Sequence, residues 1–228
     1  MPLAYKFLGH KTGLSVLETK NLKISRLDEL NDVFDCSPII SPPDDETDHD
    51  ATTWTELVVG QNNKNYGLLC LSQSVESPLL WGHYSECGAG MALGFETNEF
   101  SWTNPHVVEY ENSRPQVSWP ADDELNDEVI DQLLRQCFSV KAESWRYEDE
   151  LRYILDLNTC VPKNGMYFAP FPATALKQVV LGFRSSVTAK YIQHFLAQNY
   201  PDCTIDVFTT RPHATRYNIE IVHSAVVG

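Results

Sequence analysis

The chain lacks the sequence patterns of zinc-binding, secreted and membrane-spanning proteins. Its six cysteines are widely scattered, with no Cys-x-x-Cys pair and no histidine pair at zinc-finger spacing, so we expect free thiols in a reducing compartment. The N-terminal stretch lacks the apolar core of roughly 7–15 residues that a signal peptide needs, and no run approaches the roughly 18 apolar residues of a membrane span. We therefore expect a cytoplasmic protein.

Basic residues are also scarce. The chain has 17 lysines and arginines against 31 aspartates and glutamates, which gives a net charge of −14. This balance argues against long-range attraction to nucleic acids or anionic membranes, so any contact with a nucleic acid has to be local. With 228 residues, of which 43% are hydrophobic, the chain can bury a proper core.

Short apolar runs and amphipathic stretches alternate irregularly along the chain. Residues 41–50 contain two prolines and five acids and predict an exposed loop. Because helices interrupt the strands without strict alternation, we expect a single α+β domain over residues 1–228, with short, mostly antiparallel strands in a split or mixed sheet. The predicted strands are 3–8, 21–25, 66–72, 91–95, 107–110, 144–155, 176–183, 204–208 and 219–222, and the predicted helices are 12–20, 78–86, 124–140 and 187–199.

Charged residues interrupt an otherwise apolar strand at residues 144–155, SWRYEDELRYIL. In an extended chain Glu148, Glu150 and Arg152 share one face. One interpretation is a solvent-facing edge with loosely paired charges, and the other is a carboxylate pair that faces a pocket. In either case we expect Arg152 to neutralise Glu150 and to lower its pKa.

Three stretches resemble a bacterial domain-of-unknown-function family, the one numbered 2971. They are residues 5–35, which open with Tyr-Lys-Phe, residues 70–96, which contain Leu-Leu-Trp-x-His-Tyr, and residues 141–155, which contain Lys-x-x-x-Trp-x-x-Glu-x-Glu-x-Arg. The resemblance extends from Tyr5 to about Gly182. The family name carries no activity.

A more distant resemblance is to the arginine-serine-glutamate class of ADP-ribosyltransferases. That class has a basic residue on its first strand, a Ser-x-Ser at the end of a middle strand and a Glu-x-Glu on a later strand. The corresponding residues here are Lys6, Ser72 with Ser74, and Glu148 with Glu150. A lysine stands where the class usually has arginine, and Gln73 stands where it has threonine.

The resemblance implies an ADP-ribosyltransferase-like fold with helices flanking the sheet, NAD as co-substrate, and cleavage of its nicotinamide–ribose bond. Glu150 would stabilise the positive charge that develops on the ribose, and Glu148 would orient or deprotonate the incoming nucleophile. Lys6 would contact a phosphate, while Ser72 or Ser74 would hold the ribose. The acceptor could be a protein, a nucleic acid, a small molecule or water, and such an enzyme would suit a toxin or a phage-defence effector.

The segment LLWGHY has two interpretations. On a helix Trp81 and Tyr84 share a face, while His83 and Glu86 lie close enough to meet. A functional interpretation places Trp81, His83 and Tyr84 around nicotinamide or a base. A structural interpretation places Trp81 and Tyr84 in the core and pairs His83 with Glu86 or a main-chain carbonyl.

Two other functions fit the same residues. A metal-dependent hydrolase or nuclease would use His83, Glu148 and Glu150 as ligands of magnesium or manganese, although Arg152 beside the acids disfavours a dication. The transferase interpretation needs no metal. Alternatively, the protein is a non-catalytic binding module in which the acids form a structural ion network.

Overall fold

The computed structural model describes residues 3–42, 51–102, 104–121, 124 and 126–223. Most of the predicted acidic loop, residues 43–50, lies outside these ranges. The helices are α1 His10–Thr19, α2 Ala51–Asn65, α3 Pro78–Tyr84, α4 Asp127–Phe138 and α5 Ala189–Asn199. The strands are β1 Ala4–Leu8, β2 Asn21–Arg26, β3 Ile39–Ser41, β4 Tyr66–Ser72, β5 Met91–Phe95, β6 His106–Val107, β7 Glu109–Glu111, β8 Gln116–Ser118, β9 Val140–Ala142, β10 Glu150–Asp156, β11 Val161–Lys163, β12 Met166–Pro170, β13 Leu176–Leu181, β14 Asp206–Pro212 and β15 Ile219–His223.

The main sheet is mixed and mostly antiparallel. Its strands follow the order β11-β12-β2-β4-β1-β5-β13-β14-β15, and β10 pairs with β4 outside this path. The pair β13–β14 is parallel, whereas the other pairs within this sheet are antiparallel. The predicted α+β class, with a mixed sheet and flanking helices, is confirmed.

Strand β4 is the point at which the sheet divides. Along one edge, β10 pairs with all of β4, from Glu150 opposite Ser72 to Asp156 opposite Tyr66. The other edge is shared, because β1 pairs at Ser72 and β2 pairs further down, at Leu68 and Gly67. From there β1 continues to β5 and β2 continues to β12. Two parts of the sheet therefore diverge beside β4.

Helices cover both faces of the sheet, because successive strand residues face opposite sides. On one side Leu69 and Leu93 belong to the largest core cluster, which includes apolar residues of α1 and α5. On the other side Leu68 packs with residues of α4, and Ala92 packs with Trp81 of α3. Helices α3 and α4 therefore pack on the same side of the sheet.

Helix α4 begins later than the sequence predicts. The side chain of Asn126 accepts hydrogen bonds from the main-chain N–H groups of Glu128 and Val129, so the helix starts at Asp127 and not at residue 124. Helix α2 and the hairpin β11–β12 are additions to the predicted elements. No helix in the described part of the chain has the length and apolar character required to cross a membrane.

Candidate functional site

A cavity of about 240 Å³ lies where β1 and β2 diverge from β4. Strands β1, β2 and β4 contribute one part of its lining, and the rest comes from the segment 29–35, from α3, and from Lys141, Glu148 and Glu150. Five of the residues predicted from the sequence line this cavity together: Lys6, Ser72, Tyr84, Glu148 and Glu150. Positions far apart in the chain are thus brought to one site.

The chain turns sharply between the two glutamates. Residues Glu143–Glu148 form a 3₁₀ helix, Asp149 has a left-handed φ of 44°, and β10 starts at Glu150. The prediction that Glu148 and Glu150 share a strand face is therefore wrong, because only Glu150 lies on the strand. Because the chain turns at Asp149, both carboxylates still line the same cavity, although they belong to different elements.

The interpretation of this segment as a solvent-facing edge is also wrong. Glu148, Glu150 and Arg152 are exposed by only 5%, 4% and 0%. Carboxylates and guanidinium groups are almost never buried to this extent unless they are paired. Each of these side chains consequently needs partners inside the protein.

Arg152 is the deepest member of the ion network. Its guanidinium binds Glu150 through Nε at 2.8 Å and through Nη2 at 3.0 Å. It also donates to both oxygens of Asp35, at 2.7 and 2.8 Å, and to the carbonyl oxygen of Phe138 at 2.7 Å. Arg152 does not line the cavity, so it acts on the site through Glu150 and Asp35.

Lys141 joins the deep part of the network to the cavity. Its Nζ lies 2.5 Å from Glu148 Oε2, 3.2 Å from Glu150 Oε2 and 3.4 Å from Asp35 Oδ2. The lysine is a buried cation with three carboxylate partners. Sequence reasoning missed both Lys141 and Asp35, although Lys141 is the first residue of the Lys-x-x-x-Trp-x-x-Glu-x-Glu-x-Arg motif and Asp35 ends the first family-like stretch.

The network changes the protonation behaviour of its members. Burial alone would raise the pKa of Glu150, but the charge and hydrogen bonds of Arg152, together with the charge of Lys141, lower it to about 2. Burial would lower the pKa of Lys141, yet the charges of Glu150 and Asp35 raise it above its usual range. Glu150 and Lys141 are both ionised at neutral pH, and the predicted effect of Arg152 on Glu150 is confirmed.

Tyr84 connects Glu148 to the loop after β2. Its hydroxyl donates to Glu148 Oε1 at 2.5 Å and accepts from Asn31 Nδ2 at 2.7 Å. Burial, and then the hydrogen bond to Glu148, raise the pKa of this phenol, so it remains a neutral donor. Asn31 also lines the cavity.

Lys6 and Ser72 line the cavity but are bonded to the main chain of β4 and the turn that follows it. The Lys6 ammonium donates to the Cys70 carbonyl oxygen at 3.0 Å. Ser72 Oγ donates to the carbonyl oxygen of Ser74 and accepts from the N–H of Ser74, which closes a tight turn. The hydroxyl of Ser74 accepts from the N–H of Glu76, so this side chain supports the turn.

Unlike Tyr84, the side chains of Trp81 and His83 lie outside the cavity. Trp81 is fully buried, donates from Nε1 to the carbonyl oxygen of Val75 at 2.7 Å, and packs edge-on against Phe7. His83 is exposed, and its ring lies 6.2 Å from those of Tyr84 and Tyr147. Neither residue lines the cavity. Glu86, predicted as a partner of His83, accepts from the N–H of His10.

The described residues contain no group of three histidine, cysteine, aspartate or glutamate side chains arranged to hold a metal ion. The three carboxylates that converge here already share two protein cations, Lys141 and Arg152. Their arrangement is therefore that of an ion network.

Comparison with known proteins gives one match. Residues 80–153, roughly a third of the chain, match a family described as "Protein of unknown function (DUF2971)". This match supports the resemblance to that family, and it includes α3 from Leu80 onwards and both glutamates of the cavity. No curated protein and no solved structure matched the chain.

Proposed function

We propose that this protein is an NAD-dependent enzyme of the ADP-ribosyltransferase type, which cleaves the nicotinamide–ribose bond in the cavity beside β4. The observation that carries the proposal is the convergence of Lys6, Ser72, Glu148 and Glu150 on one cavity. These are the positions that correspond to the arginine-serine-glutamate pattern. They come from β1, the end of β4, the 3₁₀ segment and the start of β10.

The division of the sheet supports the same proposal. Ligands bind where neighbouring strands part and leave a crevice, because main-chain and side-chain groups can reach a ligand there without a strand in the way. Here β1 and β2 part beside β4, and residues of all three strands line the cavity. The split or mixed sheet expected from the order of the predicted elements agrees with this arrangement.

The two carboxylates suit the chemistry of the bond. When the bond between ribose C1′ and the pyridinium nitrogen breaks, its electron pair goes to the nitrogen and the ribose becomes an oxocarbenium-like cation. Glu150, whose lowered pKa keeps it ionised at neutral pH, supplies negative charge for that cation. Glu148 faces the neutral hydroxyl of Tyr84 on one side, so it can exchange that hydrogen bond for one from an incoming nucleophile.

The cavity fits one end of NAD. Its volume of about 240 Å³ is below the roughly 300–1,000 Å³ typical of sites that enclose a drug-sized ligand. We infer that the nicotinamide and its ribose enter, and that the adenosine lies outside. For Lys6 to reach a phosphate, its ammonium has to leave the Cys70 carbonyl oxygen.

The acceptor can be water, a protein, a nucleic acid or a small molecule. The net charge of −14 makes a nucleic acid the least favoured of these. Six free cysteines fit a reducing cytoplasm. An enzyme that consumes NAD there would deplete a central cofactor, as expected of a toxin or a phage-defence effector.

The experiment is to incubate the purified protein with NAD, with and without cell extract, and to follow nicotinamide release by chromatography. We expect release by the wild type and a loss of at least about 100-fold in Glu148→Gln, because removal of a catalytic carboxylate costs on the order of 10²–10⁴ in rate. Glu143→Gln is the matched control, since Glu143 pairs with Arg146 outside the cavity. It should retain wild-type release.

Two results would contradict the proposal. One is no nicotinamide release from the wild type, combined with a melting temperature that NAD does not change. The other is equal release by wild type and a folded Glu148→Gln protein, since that release would not come from this cavity. Circular dichroism of each variant separates loss of activity from loss of the fold.

A structural ion network is the second candidate, and the position of Arg152 favours it. Arg152 is fully buried and is satisfied by Asp35, Glu150 and the Phe138 carbonyl. If the network only stabilises the fold, Glu150→Gln lowers stability with no chemical output to lose. A metal-dependent hydrolase is less well supported, because Lys141 and Arg152 already occupy the space between the carboxylates.

A further inference from the structure

A row of three aromatic rings lies beside the cavity, from α3 to the 3₁₀ segment before β10. The ring of His83 lies 6.2 Å from that of Tyr147, and the ring of Tyr147 lies 5.9 Å from that of Trp145. The planes of neighbouring rings are inclined by 35° and 37°, so their faces point in similar directions. We call His83, Tyr147 and Trp145 the aromatic rim.

The aromatic rim begins where the lining of the cavity ends. His83 directly precedes Tyr84, which lines the cavity, and the two rings lie 6.2 Å apart. Tyr147 directly precedes Glu148, which also lines the cavity. A ligand that fills the cavity can therefore continue onto these rings.

The aromatic rim is accessible at one end and supported at the other. His83 is exposed, and a methyl group at the neighbouring Gly82 would meet nothing within 4 Å, so the surface beside this ring is open. Tyr147 is half-buried against the core cluster beneath α3, and Trp145 lies over the Lys141 ammonium, with Nζ 5.0 Å from the ring centroid. Rings that are already held in place lose little conformational freedom when a ligand stacks on them.

The chemistry of the rim suits a nucleobase. Stacking on aromatic side chains is worth roughly 1–3 kcal/mol per base, and any base can stack because every base has a flat face. Adenine is neutral at pH 7, so the net charge of −14 does not oppose its binding. The cavity of about 240 Å³ admits one end of NAD, so the adenosine half has to lie on the surface next to it.

We propose that the aromatic rim is the binding surface for the adenine of NAD, which stacks on His83 and Tyr147 while the nicotinamide ring occupies the cavity. The identity of this ligand rests on the proposed function, whereas the capacity of the rim to bind a purine follows from the rings alone. The rim distinguishes NAD from nicotinamide mononucleotide, because only NAD carries a second base.

The first test compares AMP with ribose 5-phosphate on the wild-type protein by calorimetry. The two ligands share the sugar and the phosphate, and only AMP has the base. We expect AMP to bind at least about fivefold more tightly, which corresponds to the lower end of the stacking contribution. Equal affinities, or no binding of AMP at millimolar concentrations, overturn the proposal.

Variants locate the binding surface. His83→Ala removes the exposed ring of the rim, and Tyr147→Leu replaces a ring by an aliphatic side chain that can still pack on the core. We expect each variant to weaken the binding of AMP about fivefold or more. His194→Ala is the matched control, because His194 is exposed on α5, which packs on the opposite side of the sheet from α3. Wild-type affinity for AMP in both folded rim variants contradicts the proposal.

Turnover links the rim to the cavity. We expect His83→Ala to raise the KM for NAD about fivefold or more and to change kcat by less than about twofold, because this ring binds the substrate away from the reacting bond. An unchanged KM for NAD in a variant that has lost AMP binding would assign the rim to a different purine ligand and overturn its assignment to NAD.

The outcome is separable from that of the proposed function. Binding of AMP that depends on the rim, without nicotinamide release from NAD, supports the purine site and contradicts the enzyme. Nicotinamide release with an unchanged KM for NAD in both rim variants supports the enzyme and contradicts the role of the rim.

Discussion

The backbone of Asp149 determines how the two glutamates of the cavity are placed. Its left-handed φ of 44° ends the 3₁₀ segment and lets β10 start at the next residue. Glu148 and Glu150 can then approach the same ammonium group of Lys141 from two different elements. A continuous strand would place both glutamates on one face without this turn.

The buried Glu150 makes stability depend on acid. Its pKa is lowered from an ordinary 4.5 to about 2 in the folded protein, so the unfolded chain binds more protons between these values. The stabilisation is present above about pH 4.5 and is lost as the pH falls towards 2. We expect the free energy of unfolding of the wild type, relative to Glu150→Gln, to fall by about 2 kcal/mol from pH 5 to pH 3.

Urea denaturation at several pH values measures this difference. Subtracting the curve of Glu150→Gln removes the contribution of carboxylates that titrate in both proteins. A difference that stays constant down to pH 3 would show that Glu150 is not held as an anion by Arg152 and Lys141.

The partners of these residues were beyond what sequence spacing can predict. Proximity of Arg152 to Glu150 follows from their separation of two, and this pairing was predicted. Asp35 lies 117 positions from Arg152, and no local rule connects them. Burial was equally hard to predict, because a charged row on a strand is usually solvated unless a distant segment supplies counter-charges.

The turn between α3 and β5 positions Tyr84 for its contact with Glu148. Three successive residues, Glu86, Cys87 and Gly88, have positive φ, and the chain then passes very close to the end of β1. A methyl group at Gly90 would lie 2.1 Å from the Leu8 carbonyl oxygen, whereas a methyl group at Gly82 would meet nothing within 4 Å. The close contact with β1 therefore requires a glycine at position 90, whereas position 82 has room for a side chain.

Alanine substitutions distinguish these roles. We expect Gly90→Ala to lower the free energy of unfolding by about 2–3 kcal/mol, because main-chain atoms have to move to admit the methyl group. Gly82→Ala is the control on the exposed side of α3, and it should raise stability by about 0.5–1 kcal/mol through helix propensity. Urea denaturation measures both. A neutral Gly90→Ala would mean that the turn and β1 are not in close contact.

Elements with strong periodic signals were the ones predicted from sequence. Strands β4 and β5 match the predicted ranges because both are continuous apolar runs in the core. Helix α2 was missed because its sequence, ATTWTELVVGQNNKN, places Gly60 and three asparagines in a pattern without a clear apolar stripe. Strand β11 was missed because all three of its residues are exposed and one is Pro162.

The whole molecule provides very different environments for its six thiols. All six cysteines are free, and Cys87 is exposed. Cys36, Cys137 and Cys160 are buried, and burial raises the pKa of each thiol. Thiolates are the reactive species, so burial slows reaction both by blocking access and by disfavouring ionisation.

We expect one fast-reacting thiol when the native protein is titrated with an aromatic disulfide reagent, and six in denaturant. Cys87→Ser should remove the fast phase and leave five thiols in denaturant. Fewer than six reactive thiols in the denatured wild type would mean that a disulfide exists. Several fast equivalents in the native protein would contradict the buried positions.

The shared edge of β4 also affects how the protein is made. During synthesis β1, β2 and β4 emerge together, but the strand that covers the other edge of β4 starts only at Glu150. At roughly 5–20 residues per second the ribosome needs on the order of ten seconds to reach it. Throughout that interval β4 offers an unpaired apolar edge to neighbouring nascent chains, so aggregation during translation should be most severe when the chain stops before β10.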